Sequence, residues 1–408
     1  MTPESIHRSA SPLASSSARR PPMMAIVFGA LALLAAAALV FRGADEPSGT
    51  PEARGATAPG PQQTGSGHSL GGADSTAPGS SAKVQEKPPR FAGTTCWQAL
   101  DRFNDTVTLE TFRDWAAPLL VAKDPIVLQY LKERLSELIG NDERRASEVL
   151  GWARDANPAE FKLLMAGLRG SQALGLPQVG ARLTSLGLDE SLDMGRRAGF
   201  LDELQHLKQL EPATLERLTR FAKDPASGEA GWVTTRSIGR VMKEDYERTG
   251  NAKPYLDKLL TISTESPDEP VRYLGLEMGL HSEAPLDAQS TERLAKILAT
   301  EGSGEVRQVA AHELSMAQDK AQALDIYAKA FAAEQDLCVR WALFRFAART
   351  AGRDALPVMA NMATTDPRFQ GDYHDFERLY ASGIVDFDRI WFGLPSQDPH
   401  GCLDHHDD

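Results

Sequence analysis

The stretch DEPVRYLGLEMGL, residues 268–280, decides how this chain is read. An acidic, Pro-containing turn precedes Val271. Apolar residues then fall at Val271, Leu274, Gly275 and Met278, the i, i+3, i+4, i+7 spacing of one buried helix face. Pro suits the first helical turn, where its missing N–H has no intrahelical partner to lose. Arg272 stands beside the first residue of that face, and the arrangement returns twice. Val306-Arg307 leads into Val309, Ala310 and Leu314, and Val339-Arg340 into Ala342, Leu343, Phe346 and Ala347. The Val-Arg pairs are 35 and 33 residues apart, with weaker echoes upstream at Arg236 and Arg197. Second amphipathic stretches lie between them, one with Leu294, Ile297 and Leu298, another with Leu324, Tyr327, Ala328 and Phe331. A period of this size is the mark of stacked helical hairpins.

These residues resemble HEAT repeats. Asp268, Pro270, Val271 and Arg272 match that pattern best; Glu305, Val306 and Arg307 match it without the Pro, and Asp336, Val339 and Arg340 match it with Cys338 at the Pro position. The resemblance is clear over 225–365 and faint over 120–225, where Asp124-Pro125-Ile126-Val127 is followed by Leu128 instead of Arg. It implies an α-solenoid in which acidic turn residues and arginines form a polar ladder between units. Arg272, Arg307 and Arg340 therefore read as structural. The sharper alternative is an arginine row that binds an anionic ligand. One hairpin cannot bury its own apolar stripe, so neighbours must stack into a continuous core.

From about Phe91 onward the chain is helical in pattern almost throughout. Ala, Leu, Glu, Lys and Arg dominate, and no strand pair or hairpin signal appears. Breakers recur at Asp124-Pro125, Asn157-Pro158, Glu211-Pro212, Asp224-Pro225, Glu269-Pro270 and Asp366-Pro367, each ending one helix and opening the next. The expectation is an all-α repeat domain over 91–395 with about fourteen to seventeen helices. Its ends need caps. Trp97 and Trp115 mark a candidate cap at the start. The apolar run at Phe387, Ile390, Trp391 and Phe392 marks another at the end, folding back on the last hairpin or standing out as an aromatic docking segment.

The first ninety residues are different. Residues 1–22 are polar and Ser-rich and end in Arg19-Arg20-Pro21-Pro22; residues 23–41, MMAIVFGALALLAAAALVF, carry no charge. At about 1.5 Å per residue that run covers roughly 28 Å, close to the bilayer core of about 30 Å. It is longer than the apolar region of a cleaved signal, and its small residues lie inside the run. An uncleaved signal anchor is expected, with Arg19 and Arg20 holding the N-terminus inside and the rest of the chain outside, in the periplasm if the source is bacterial. Residues 43–90 follow as a linker, with Gly, Pro, Ser, Thr and Ala at 33 of 48 positions. Such a composition cannot offset its own ordering entropy. Its span of roughly 40 Å would tether the helical domain near the membrane without fixing its orientation.

Net charge is −12, and the chain beyond residue 90 carries 36 Lys+Arg against 50 Asp+Glu. That balance repels phosphate backbones and argues against nucleic-acid binding. No nucleophile elbow, phosphate loop, dinucleotide fingerprint or zinc-protease motif occurs, so neither catalytic residues nor a cofactor are expected. The tail, 396–408, ends in HGCLDHHDD. His400, Cys402, His405 and His406 are its only concentrated ligand set, and their spacing fits no closed metal site. Three cysteines are present, Cys96, Cys338 and Cys402. Stacked hairpins spaced about 8–10 Å apart would put Cys96 far from Cys338. An oxidising compartment would then join Cys338 to Cys402. The function that fits is a membrane-anchored scaffold or adaptor that binds another protein outside the cytoplasm. The alternatives are an enzyme built on a HEAT-like fold and a metal-responsive sensor using the C-terminal tail.

Overall fold

The computed structural model describes residues 105–121 and 123–403. They form seventeen α-helices joined by short turns and five 3-10 segments, and among them no strand is longer than the single bridge between Leu286 and Ala317. The helices are α1 (Leu109–Val121), α2 (Pro125–Ile139), α3 (Glu143–Asp155), α4 (Pro158–Gly170), α5 (Pro177–Gly187) and α6 (Met194–Glu203). They continue with α7 (Pro212–Ala222), α8 (Glu229–Thr249), α9 (Lys253–Glu265), α10 (Glu269–His281), α11 (Ala288–Thr300) and α12 (Gly304–Leu314). The last five are α13 (Lys320–Ala333), α14 (Leu337–Ala351), α15 (Leu356–Thr365), α16 (Gln370–Ala381) and α17 (Phe387–Gly393). The span expected over 23–41, the linker and Cys96 lie outside the described residues. No described helix is long and apolar enough to cross a membrane.

The turns start helices as their chemistry dictates. The Asp124 carboxylate accepts from the amides of Ile126 and Val127, with Pro125 in the first turn of α2; Asn157 does the same for α4 ahead of Pro158. Asp336 accepts from the amides of Cys338 and Val339 at the head of α14. Asp224-Pro225 and Asp366-Pro367 open 3-10 turns rather than α-helices.

The helices stack in two solenoid-like layers. Odd-numbered helices α9, α11, α13 and α15 pack in succession on one side. Even-numbered helices α8, α10, α12 and α14 pack in succession on the other, and each hairpin joins the two. Between the layers runs one continuous apolar core. The Val-Arg helices supply it as their spacing requires: Val271, Leu274 and Met278 from α10, Val306, Ala310 and Leu314 from α12, Val339, Leu343 and Phe346 from α14. Where α8 crosses α10, Gly239 leaves the space that the Met278 side chain fills; a Cβ there would collide with it. Tyr327 is buried, and its hydroxyl donates to the Ala311 carbonyl at 2.8 Å, which joins α13 to α12 with no polar group left over. At the C-terminal end α17 folds back: Ile390 is buried and Trp391 lies against Trp341 and Phe387, whereas Phe392 stays 79 % exposed.

Candidate interaction groove

The three arginines of the repeat occupy equivalent positions in their turns. Arg272 grips Glu301 with two bonds, Nε to Oε2 at 2.8 Å and Nη2 to Oε1 at 3.0 Å. Its third nitrogen donates to the carbonyls of Ser266 and Pro267 in its own unit's turn. Arg307 repeats this on Glu334, at 2.7 and 3.1 Å, and donates to the carbonyls of Glu301 and Gly302. Glu301 thus ends one rung with its side chain and begins the next with its backbone. Arg340 continues to Asp366 at 2.8 Å, a carboxylate it shares with Arg368. Both guanidinia hold the Asp366 carboxyl well below the usual range. Each arginine does reach the adjoining unit's turn, but its partner is the acid that caps the C-terminal end of an odd-numbered helix, α11, α13 or α15. Asp268 and Asp336 stand at the N-caps of α10 and α14. The arginine row is committed to the stack, with side chains only 14–17 % exposed.

The C-terminal segment is fastened over α14 and α16. Cys338 and Cys402 form a disulfide, their Cα atoms 5.1 Å apart. His400 places Nε2 2.9 Å from the Asp372 carboxylate, and its ring lies against Trp341 and Phe369. Both side chains are therefore engaged within the fold; His405 and His406 lie outside the described residues. Among the described residues no three His, Cys, Asp or Glu side chains gather as a metal site would require.

Two neighbours on α12 are polar and nearly dry. His312 stacks on Phe346, ring centroids 4.1 Å apart, with Nε2 buried and unbonded. Burial, with Arg349, Arg345 and His281 nearby, pushes its pKa down to about 3. Glu313 is fully buried against Gly279, and neither carboxyl oxygen has a hydrogen-bond partner. Desolvation raises its pKa well above the ordinary carboxylate value, against the pull of Arg293. Sequence spacing gives no sign of either, because a His-Glu pair on an exposed helix reads the same.

A groove of about 600 Å³ crosses the even-numbered helices at the N-terminal end, lined from α2, α4 and α6. Leu128, Phe161 and Ala166 contribute apolar surface and Lys123, Lys132 and Lys162 contribute charge. Its two carboxylates are internally compensated. Glu203 takes two bonds from Arg169, at 2.6 and 3.1 Å, and Asp202 is paired with Arg236 of α8. Burial still pushes the Glu203 carboxyl up against the pull of Arg169. Nothing in the sequence singles out this groove. The only signal available was the cluster of three lysines in an acidic domain, spread over forty residues and two helices. No protein family matches the chain, and no curated protein matches it.

Proposed function

We propose that this chain is a HEAT-like scaffold that binds another protein, anchored in the membrane through residues 23–41 and held outside the cytoplasm by the linker 43–90. The observation that carries this reading is the consecutive set of arginine rungs. They use up the most conspicuous charged row in joining one unit to the next, so the row is committed to building the stack rather than to holding a ligand. Stacked repeats present long, curved faces suited to extended partners.

Affinity capture of the full-length protein, cross-linked in its native cells, tests the binding reading. A reproducible partner that disappears when residues 91–408 are deleted is the expected result; a capture that is empty, or unchanged by the deletion, sinks it. Protease digestion of intact and opened cells tests the topology. The helical domain should be cut from outside, and protection of residues 91–408 in spheroplasts would reverse the orientation.

A further inference from the structure

We infer that the groove across α2, α4 and α6 docks an acidic segment of a partner protein that carries one or two apolar side chains. This rests on the protein-binding reading above and specifies the chemistry of its site. The chain as a whole is acidic, at −12. An acidic partner would be repelled by most of its surface. The groove has the opposite balance, with Lys123, Lys132, Lys162 and Arg169 in its lining against Asp202 and Glu203. Arg169 is spent on Glu203 and Asp202 is held by Arg236, so the groove's own carboxylates ask for no outside partner. Lys123, Lys132 and Lys162 line it, and among the described residues none of the three is in an ion pair. Three ammonium groups around partly apolar walls favour a ligand that brings both carboxylates and hydrophobic side chains.

The site is built before a ligand arrives. Phe161 is fixed edge-on against Phe200, with ring centroids 5.2 Å apart, and the Arg196 guanidinium lies 4.3 Å from its centre. The wall cannot collapse into the space. Lys123 holds a φ of 50°, a left-handed conformation that costs a non-glycine residue energy. Leu120 and Leu128, on either side of it in the chain, add apolar surface to the lining. A cleft of about 600 Å³ has room for a few protruding side chains. A flat bilayer would meet the lysines and leave the cleft unfilled, which favours a peptide over a lipid surface.

The test uses the full chain in detergent micelles and fluorescence anisotropy. The probe is a short fluorescein-labelled peptide of glutamates interrupted by Leu and Phe; its counterpart has Lys in place of every Glu. The acidic peptide should bind, more weakly as salt rises. The triple substitution Lys123→Glu, Lys132→Glu, Lys162→Glu should cost about tenfold or more in affinity and should create binding of the basic peptide, a gain that a misfolded variant would not show. Ala166→Trp, which fills the cleft without touching its charge, should block the acidic peptide. Failure of the wild type to bind the acidic peptide, or equal binding by the triple variant, overturns the inference. So does displacement of the peptide by short-chain phosphatidylglycerol at concentrations below those needed of unlabelled peptide. Cross-linked capture separates the two levels of the argument. A triple variant that keeps the wild-type partner removes the groove and leaves the scaffold standing, whereas a wild type with no partner removes both.

Discussion

Helices α10 to α14 and helices α1 to α6 face the same problem and answer it differently. In both regions hairpins must be joined in register while polar turn groups stay satisfied. In α10 to α14 one device is reused: an arginine beside the first buried valine takes an acid 26 to 29 residues ahead. In α1 to α6 each junction is settled separately. Arg196 donates to the carbonyls of Ala153 and Ala156, Arg197 to that of Gly187, and Arg169 holds Glu203, 34 residues ahead and on the next even-numbered helix. Helices can therefore be stacked with or without a repeated side-chain device. Stacking needs buried faces and satisfied turns, and several side-chain solutions provide them.

The largest expected effect lies at the end of the regular region. The Cys338–Cys402 bond closes a loop of 64 residues. In the chain-entropy account such a loop is worth about 4 kcal/mol, less any strain. The double substitution Cys338→Ser, Cys402→Ser should therefore destabilise α14 to α17 in denaturant titrations while leaving α1 to α6 nearly unchanged. Hydrogen exchange resolves the two regions, since units of a stack couple chiefly to their neighbours. Uniformly faster exchange would mean that the two regions unfold as one.

Next comes the rung itself. Arg307→Ala strands Glu334, whose side chain is 11 % exposed, and releases the carbonyls of Glu301 and Gly302. Removing one partner of a buried, doubly bonded pair costs about 3 kcal/mol, somewhat less where water reaches the pair. A double-mutant cycle with Glu334→Gln measures the coupling by chemical denaturation. A coupling near zero would show that the repeated arginine is retained for something other than the stack.

How much of this was legible follows from the same contrast. The spacing of Val271, Val306 and Val339 repeats because each valine meets the same neighbour, and all three are buried. Arg272 and its two counterparts were visible beside them for that reason. Their partners were not, since Glu301, Glu334 and Asp366 sit six residues before the next repeat position, or at the equivalent turn, among many other acids. Glu313 was invisible: nothing in its neighbourhood separates a buried carboxyl from a solvated one. The groove was hidden because its three lysines come from different turns and helices, and only the fold brings them to one cleft.

The α12 pair provides the third effect, read as pH dependence. His312 has its folded pKa depressed to about 3 from 6.5. The unfolded chain takes up a proton below 6.5 while the folded chain resists, so this site loses stability as pH falls from 6.5 towards 3. At pH 5 the loss is about 2 kcal/mol. Glu313 works in the opposite sense. Its folded pKa is raised above 4.5, so its contribution is full in acid and drains as pH rises past that value. His312→Phe, which keeps a ring against Phe346, should flatten the acid limb of a Tm-versus-pH curve, and Glu313→Gln should flatten the limb above 4.5. Unchanged curves would mean that water reaches α12 in solution.

The smallest effect sharpens the comparison from the other side. Arg113 of α1 meets Glu160 of α4 at 2.7 Å, a shorter contact than the Arg272 rung, yet its side chain is 43 % exposed. Contact length alone would rank it with the rungs. Exposure ranks it far below, because an exposed pair exchanges water for a partner at little net gain and is screened by salt. Arg113→Ala should change stability by less than about 1 kcal/mol, and the difference from wild type should vanish at high salt. The Arg307→Ala deficit should persist at the same ionic strength. If both deficits respond to salt alike, the rungs are as wet as the surface pair, and regular spacing rather than burial is what distinguishes α10 to α14.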